Sequence, residues 1–164
     1  MPSILYITQV HIESGAIRKL AEECQRHGIH KPLVVTDMGI RQAGLLQRAL
    51  DVLAGLDVVV YDQTPSNPTE AAVRAATAMC REHHCDGLIA LGGGSSMDCA
   101  KGVAIAATHD GPLTHYATIE GGSPRISSKV LPLVAIPTTA GTGSEVARGA
   151  ILIVNDRSEE HTSE

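Results

Sequence analysis

One stretch constrains the fold more than any other: an apolar run, then three consecutive glycines, then a run with helical character. The apolar run covers residues 87–91, the glycines occupy positions 92–94, and the helical run covers residues 99–107. A strand, a glycine turn and a helix in this order expose backbone N–H groups at the positive end of the helix dipole. Ser95 is predicted to cap this helix, and Asp98 to complete a capping box. The stretch therefore predicts an anion site suited to phosphate.

The glycine stretch matches neither of the two best-known phosphate-loop motifs. No Gly-Lys-Ser/Thr follows the glycines, so the stretch is not a Walker A loop. The third glycine of the G-x-G-x-x-G fingerprint is replaced by Met97, and the strand-end acid Asp37 precedes the glycines instead of following them. A phosphate site and a plain strand-to-helix turn, in which glycines only permit tight packing, both remain open. Three glycines with a capping pattern favour the phosphate site.

A second loop of similar character follows the predicted strand at residues 131–136. It covers residues 137–145 and is rich in glycine and hydroxyl side chains. Because both loops follow strands, a parallel sheet places them at the same carboxyl edge, where ligands of open α/β sheets bind. Asp37 and Asn67 also follow predicted strands and reach that edge. Each of these two residues taken alone is more often a helix cap than a ligand contact.

Strands alternate with helices along the chain, which predicts an α/β fold with a mostly parallel sheet and helices on both faces. Strands are predicted at residues 4–7, 32–36, 57–61, 87–91, 131–136 and 150–154. Helices are predicted from residue 14 to a stop at Gly28, over residues 40–53, after an Asn67 cap with Pro68 in the first turn, and after the glycine turn. The 164 residues suit one domain, and a chain without Phe or Trp needs a core of small aliphatic side chains.

Charge and cysteine content exclude several classes of protein. The net charge is −5 and no Lys/Arg cluster occurs, which argues against nucleic acid or an anionic membrane as partner. No apolar run reaches the ~20 residues of a membrane span, and the N-terminus carries no secretory signal pattern. The four cysteines form no CxxC pair, which favours reduced thiols and a cytoplasmic location. Cys80, His83, His84 and Cys85 invite a zinc site, but their spacing argues against one.

Two motifs together resemble a known family. GGGSSMDCAK at residues 92–101 and PTTAGTGSEV at residues 137–146 are similar to the iron-containing (group III) alcohol dehydrogenases. The strand ending at Asp37 and the loop around Asn67 fit the same family, and the resemblance covers about residues 3–156. It implies that residues 1–156 form a Rossmann-like, NAD(P)-binding domain of the dehydroquinate synthase type.

The resemblance also implies roles for individual residues. Asp37 would contact the adenosine ribose and favour NAD over NADP, Asn67 would lie beside the adenine, and Asp98 would lie near the nicotinamide. The residues expected to hold the pyrophosphate are Gly93, Gly94 and Ser95. The residues expected to line the cofactor from the second loop are Thr138, Thr139, Thr142 and Ser144.

The family's metal, Fe²⁺ or Zn²⁺, is held by an Asp and three His of a helical C-terminal domain, so we assign no metal ligand and no catalytic residue here. The full-length enzyme is expected to interconvert alcohols with aldehydes or ketones and to be a homo-oligomer, with this fragment alone inactive.

Residues 157–164 match the translation of a sequencing adapter and are expected to be an artefact. The alternatives are a relative such as a glycerol dehydrogenase, a maleylacetate reductase or a dehydroquinate synthase, or a non-catalytic nucleotide-binding module.

Overall fold

The computed structural model describes residues 8–147 and 149–154, and within them the chain forms a parallel four-stranded sheet. The strands are β1 (Pro32–Val35), β2 (Val59–Tyr61), β3 (Gly87–Gly92) and β4 (Leu133–Pro137), in the order β2-β1-β3-β4. All three pairings are parallel, and β3 and β4 pair from Leu88 with Leu133 to Gly92 with Pro137. The predicted strand at residues 4–7 lies outside the described residues. The predicted α/β class with a parallel sheet is confirmed.

Helices pack on both faces of this sheet. They are α1 (Leu20–Arg26), α2 (Met38–Gln42), α3 (Leu45–Val52), α4 (Glu70–Glu82) and α5 (Gly94–Ala106). Side chains of β1 and β3 alternate between the faces, as strand geometry requires. Leu33 and Leu88 join the α4 and α5 side chains in one cluster, whereas Val34 and Ile89 join α1 and α3 in the other. The central strands are therefore covered on both sides, which explains their continuous apolar sequences.

Small residues allow the close packing that replaces large aromatic side chains in this core. A Cβ on Gly102 of α5 would lie 2.9 Å from a Val73 methyl of α4, so the two helices approach closely at this glycine. Leu53, Met97 and Val103 are among the largest fully buried side chains. The core is built from aliphatic side chains, as the composition predicts.

Two predicted elements differ from the structure. The helix predicted over residues 40–53 is broken at Gly44, whose φ of 75° ends α2 and begins α3. A left-handed glycine cannot continue a right-handed helix, although the apolar spacing runs on through it. The strand predicted at residues 150–154 is only a single parallel bridge between Thr69 and Ile153. It pairs with the segment before α4 and not with the sheet.

The remaining segments are irregular or short. A 3-10 turn at Ala16–Lys19 leads into α1, and Gly28 follows the helix with a φ of 69°, as predicted for a stop. The polar stretch before β4 contains three 3-10 turns, Leu113–Tyr116, Thr118–Glu120 and Ser123–Arg125. Among residues 8–147 and 149–154, no helix has the length and apolar character needed to cross a membrane.

Candidate functional site

The glycine turn connects β3 to α5 and leaves the first turn of α5 without a side-chain cap. Gly93 is the N-cap residue, with extended backbone, and the helix begins at Gly94. The prediction that Ser95 caps the helix is wrong, because Ser95 lies inside the first turn and its hydroxyl donates to the carbonyl of Ser66. The predicted capping box is wrong too, since Asp98 bonds to residues outside the helix. The N–H groups at this helix end are therefore not satisfied by a capping side chain.

Gly92 is required by the geometry of the turn. Its φ is +150°, and a Cβ at this position would lie 2.5 Å from the Ser96 hydroxyl and 3.4 Å from a carboxylate oxygen of Asp37. Ser96 is fully buried, and its hydroxyl donates to that Asp37 oxygen at 3.3 Å. The backbone of the turn therefore packs against the side chains of Ser96 and Asp37, which leave no room for a side chain at position 92.

Asp37 lies at the end of β1, beside the glycine turn, as predicted from strand ends meeting at one edge. Its other carboxylate oxygen accepts from the N–H of Ile40 at 3.0 Å and caps α2. Asp37 therefore caps α2 and also lies at the carboxyl edge of the sheet. A carboxylate fixed in this way remains able to accept a further hydrogen bond from a ligand.

The second loop lies directly against the glycine turn. The N–H of Thr138 donates to the carbonyl of Gly92 at 2.9 Å, which continues the pairing of β3 and β4 into the loop. A Cβ on Gly93 would lie 3.1 Å from the Thr139 hydroxyl, and a Cβ on Gly94 would lie 3.6 Å from the Thr142 methyl. The two loops thus face each other, and glycine hydrogens line the surface between them.

Ser144 ties the second loop to α5. Its side chain is largely buried, and its hydroxyl donates to Asp98 at 2.8 Å. The Ser144 N–H donates to the Thr142 hydroxyl at 3.3 Å, and the other Asp98 oxygen accepts from the Ile151 N–H at 3.2 Å. Both residues were predicted to line a ligand, and the structure brings them together in contacts within the protein.

Lys101 belongs to the same cluster, although no role for it was predicted from the sequence. Its ammonium group donates to the Ser144 carbonyl at 2.6 Å, to the Ser144 hydroxyl at 3.1 Å and to the Gly149 carbonyl at 3.0 Å. It also lies 3.6 Å from Asp98, three residues earlier on the same helix face. Burial lowers the pKa of Lys101, while the nearby charges of Asp98 and Glu145 oppose that shift. The i, i+3 spacing of Asp98 and Lys101 is the signal that could have found it.

Asn67 does not cap α4, so that prediction is wrong. The N-cap is Thr69, whose hydroxyl accepts from the N–H of Ala72 at 3.2 Å, and the helix begins at Glu70. The carbonyl of Pro68 accepts from Ile153, and this bridge keeps the chain extended up to Thr69. Asn67 itself is exposed in the loop after β2, next to the Ser66 carbonyl that contacts Ser95.

The other polar clusters are separate from this edge. Cys80 and Cys85 lie at the end of α4, and burial raises the pKa of the Cys85 thiol to about 12. No group of three His, Cys, Asp or Glu side chains within residues 8–147 and 149–154 could hold a metal ion. Cavities of about 320 and 260 Å³ lie by His115 and between the ends of α4 and α5. Neither is lined by a residue of the two facing loops.

A family model described as iron-containing alcohol dehydrogenase matches residues 8–163. The chain belongs to this family. A 4-hydroxybutyrate dehydrogenase from Cupriavidus necator is 62% identical over 156 residues, which is 95% of this chain and 41% of that protein. A 1,3-propanediol dehydrogenase from Citrobacter freundii is 44% identical over 142 residues, 84% of this chain and 36% of that protein. The chain thus spans about two-fifths of the length of the curated relatives that it matches. The resemblance inferred from the two motifs is confirmed.

Solved structures of two oxidoreductases share the fold. The crystal structure of a 1,3-propanediol oxidoreductase superposes with a TM-score of 0.79 at 40% identity, covering 87% of this chain and 37% of that one. A sulfoacetaldehyde reductase from Bifidobacterium kashiwanohense, solved in complex with NAD⁺, superposes with a TM-score of 0.72 at 29% identity. That match covers 85% of this chain and 42% of the reductase.

Proposed function

We propose that the described residues form the NAD-binding half of a metal-dependent alcohol dehydrogenase. One observation carries the proposal: the uncapped N-terminus of α5 and the hydroxyl-rich second loop face each other at the carboxyl edge of the sheet. A dinucleotide carries two phosphates and two riboses, so it needs N–H donors, hydroxyls and an acid within one open groove. This edge supplies all three.

The groove fits a pyrophosphate because glycine hydrogens form its floor. Side chains at Gly93 and Gly94 would project toward Thr139 and Thr142 and narrow the gap between the loops. With glycine at both positions, the backbone N–H groups of the first turn can approach an anion directly, and the helix dipole adds to the attraction. We assign the pyrophosphate to Gly93, Gly94 and Ser95 on this basis.

The assignments along the rest of the cofactor follow the order of the strands. Asp37, beside the glycine turn, would accept from a ribose hydroxyl and repel the extra phosphate of NADP. Asn67, exposed beyond β2, would lie by the adenine, and Asp98 toward the nicotinamide. The second-loop residues that would line the same cofactor are Thr138, Thr139, Thr142 and Ser144.

Bound nicotinamide supplies the capacity to accept or donate a hydride. The described residues at this edge would bind and orient it. The N–H groups of the α5 first turn would fix the pyrophosphate, which sets the position of everything attached to it. The glycine turn and the second loop each continue directly from a strand, and such loops are suited to holding a cofactor in a fixed position.

The family name implies iron, but the described residues do not supply a metal site. We infer that Fe²⁺ or Zn²⁺, together with the alcohol or aldehyde, would be held by residues outside the described part. The relatives are named for small hydroxy compounds, 4-hydroxybutyrate and 1,3-propanediol, so we propose a small alcohol or aldehyde as substrate. We further propose a homo-oligomeric enzyme in the cytoplasm, where the four free thiols of Cys24, Cys80, Cys85 and Cys99 would stay reduced.

Calorimetric titration of the chain with NADH tests the proposal. We expect binding with a Kd below about 1 mM, which corresponds to at least about 4 kcal/mol of binding free energy. The same titration on a Gly94→Asp variant should show at least a tenfold loss, or about 1.4 kcal/mol, because a carboxylate would occupy the anion site. Absence of binding at millimolar NADH would count against the assignment, whereas equal affinity in the variant would place the cofactor elsewhere.

A further inference from the structure

We propose that Lys101 is a positioning residue: it holds the second loop against α5, so that this loop and the glycine turn close on the same ligand. The inference rests on the proposed function, since the ligand in question is the cofactor assigned to this edge. Lys101 itself need not touch the cofactor.

The contacts of Lys101 match the hydrogen-bonding capacity of an ammonium group. A lysine has three N–H donors and no acceptor. Three oxygens lie within reach, namely the carbonyl and hydroxyl of Ser144 and the carbonyl of Gly149, at distances of 2.6 to 3.1 Å. Two of these oxygens are backbone atoms, so the ammonium group binds the main chain at Ser144 and again at Gly149.

Charge strengthens the attachment. The Lys101 side chain is only 12% exposed and lies 3.6 Å from the 15%-exposed carboxylate of Asp98. Glu145 from the second loop adds a second negative charge, and its Oε2 is buried with no hydrogen-bond partner among the described residues. Removal of the ammonium group would leave the carboxylates of Asp98 and Glu145 without the positive charge that Lys101 supplies, which is unfavourable for partly buried carboxylates.

One further hydrogen bond connects Ser144 to the part of the second loop that faces the glycine turn. Ser144, held by Lys101 and Asp98, donates its N–H to the Thr142 hydroxyl at 3.3 Å. Thr142 is the residue whose methyl group faces Gly94 at the start of α5. The position of Ser144 therefore sets the width of the gap between the second loop and the glycine turn. A cofactor held from both sides depends on that width, because small errors in placement weaken several contacts at once.

The experiment compares Lys101→Met with the matched control Lys129→Met in the full chain. Methionine keeps the length and apolar stem but has no donor and no charge, and Lys129 is exposed, ahead of β4. Amide hydrogen exchange without cofactor should be at least about tenfold faster at residues 139–147 in Lys101→Met, with α4 amides unchanged. Calorimetry with NADH should show a Kd raised about tenfold or more. Lys129→Met should match the unmodified chain in both measurements.

Lys101→Arg provides a second variant that keeps the charge. A guanidinium group is planar and presents its donors in a fixed fork, so it can recover only part of the loop protection. We expect exchange rates between those of Lys101→Met and the unmodified chain, and this variant decides the question if the methionine variant does not fold. Unchanged exchange and unchanged NADH affinity in Lys101→Met would overturn the proposal, as would faster exchange throughout the molecule. If the unmodified chain binds no NADH, the proposed function fails, while the exchange data still decide whether Lys101 holds the loop.

Discussion

Alanine substitution of Gly92 should destabilise the fold through the glycine turn. Gly92 has a φ of +150°, and a Cβ there would lie 2.5 Å from the Ser96 hydroxyl and 2.9 Å from its Cβ. Ser96 is fully buried, so a shift of its side chain would disturb the surrounding packing. Backbone strain of this kind costs roughly 1–3 kcal/mol, and overpacking costs about the same again. We therefore expect Gly92→Ala to lower the free energy of unfolding by roughly 2–6 kcal/mol, a large share of the stability of an ordinary domain.

The neighbouring Gly93 provides a matched control that separates stability from binding. Its φ of −86° suits any residue, and an added methyl group would meet the Thr139 side chain, with the hydroxyl at 3.1 Å and the methyl at 3.8 Å. Thr139 is exposed and free to rotate, so the cost to stability should stay below about 1 kcal/mol. The same methyl group would narrow the groove, and we expect NADH affinity to fall about tenfold or more.

Urea unfolding followed by far-UV circular dichroism measures the first effect, and calorimetry with NADH measures the second. The urea concentration at the unfolding midpoint should fall by a large amount for Gly92→Ala and by a small amount for Gly93→Ala. Similar unfolding midpoints for the two variants would refute the structural explanation of Gly92. Unchanged NADH affinity in Gly93→Ala would refute the placement of the cofactor between the two loops.

Three further predictions concern the core, the helix packing and cofactor choice. Burial raises the pKa of the Cys24 and Cys99 thiols from 9.0 to about 11, so each contributes stability that is complete below pH 9 and lost toward pH 11. Urea unfolding should show a loss on the order of 1 kcal/mol per thiol from about pH 8 to about pH 10, with a smaller loss in Cys99→Ala. Gly102→Ala would place a methyl group 2.9 Å from Val73 and should cost about 1–3 kcal/mol in the same assay; no loss would contradict the close approach of α4 and α5. Asp37→Ala should reduce the preference for NADH over NADPH about tenfold by calorimetry, and an unchanged ratio would remove Asp37 from the ribose site.

The order of strands and helices could be predicted because each strand is a short aliphatic run separated from the next by helix-forming sequence. The sheet order could not, since nothing local places β3 between β1 and β4. The break at Gly44 was missed because apolar spacing continues through it, whereas the backbone turns left-handed there. The segment at Ile153 has strand-like residues but pairs through only one residue, and that outcome depends on tertiary contacts with Thr69.

The sequence was sufficient to predict that these loops lie together at one edge of the sheet. It was not sufficient to predict the hydrogen bonds among their side chains. Parallel strands end at one edge, so Asp37, the glycine turn and the second loop had to lie together. The capping pattern of Ser95 and Asp98 misled because the helix already begins at Gly94, with Gly93 as N-cap, which leaves Ser95 inside the first turn. Lys101 was missed because, apart from Asp98 on the same helix, its partners lie 43 and 48 residues away in the chain.

The central claim is that a pyrophosphate binds at the N-terminus of α5, between the glycine turn and the second loop. Amide NMR spectra of the chain during titration with NADH test this claim residue by residue. We expect the largest shifts at Gly93, Gly94 and Ser95, with smaller ones at Thr139 and Thr142. Shifts confined to other regions, such as the cavity between the ends of α4 and α5, would contradict it.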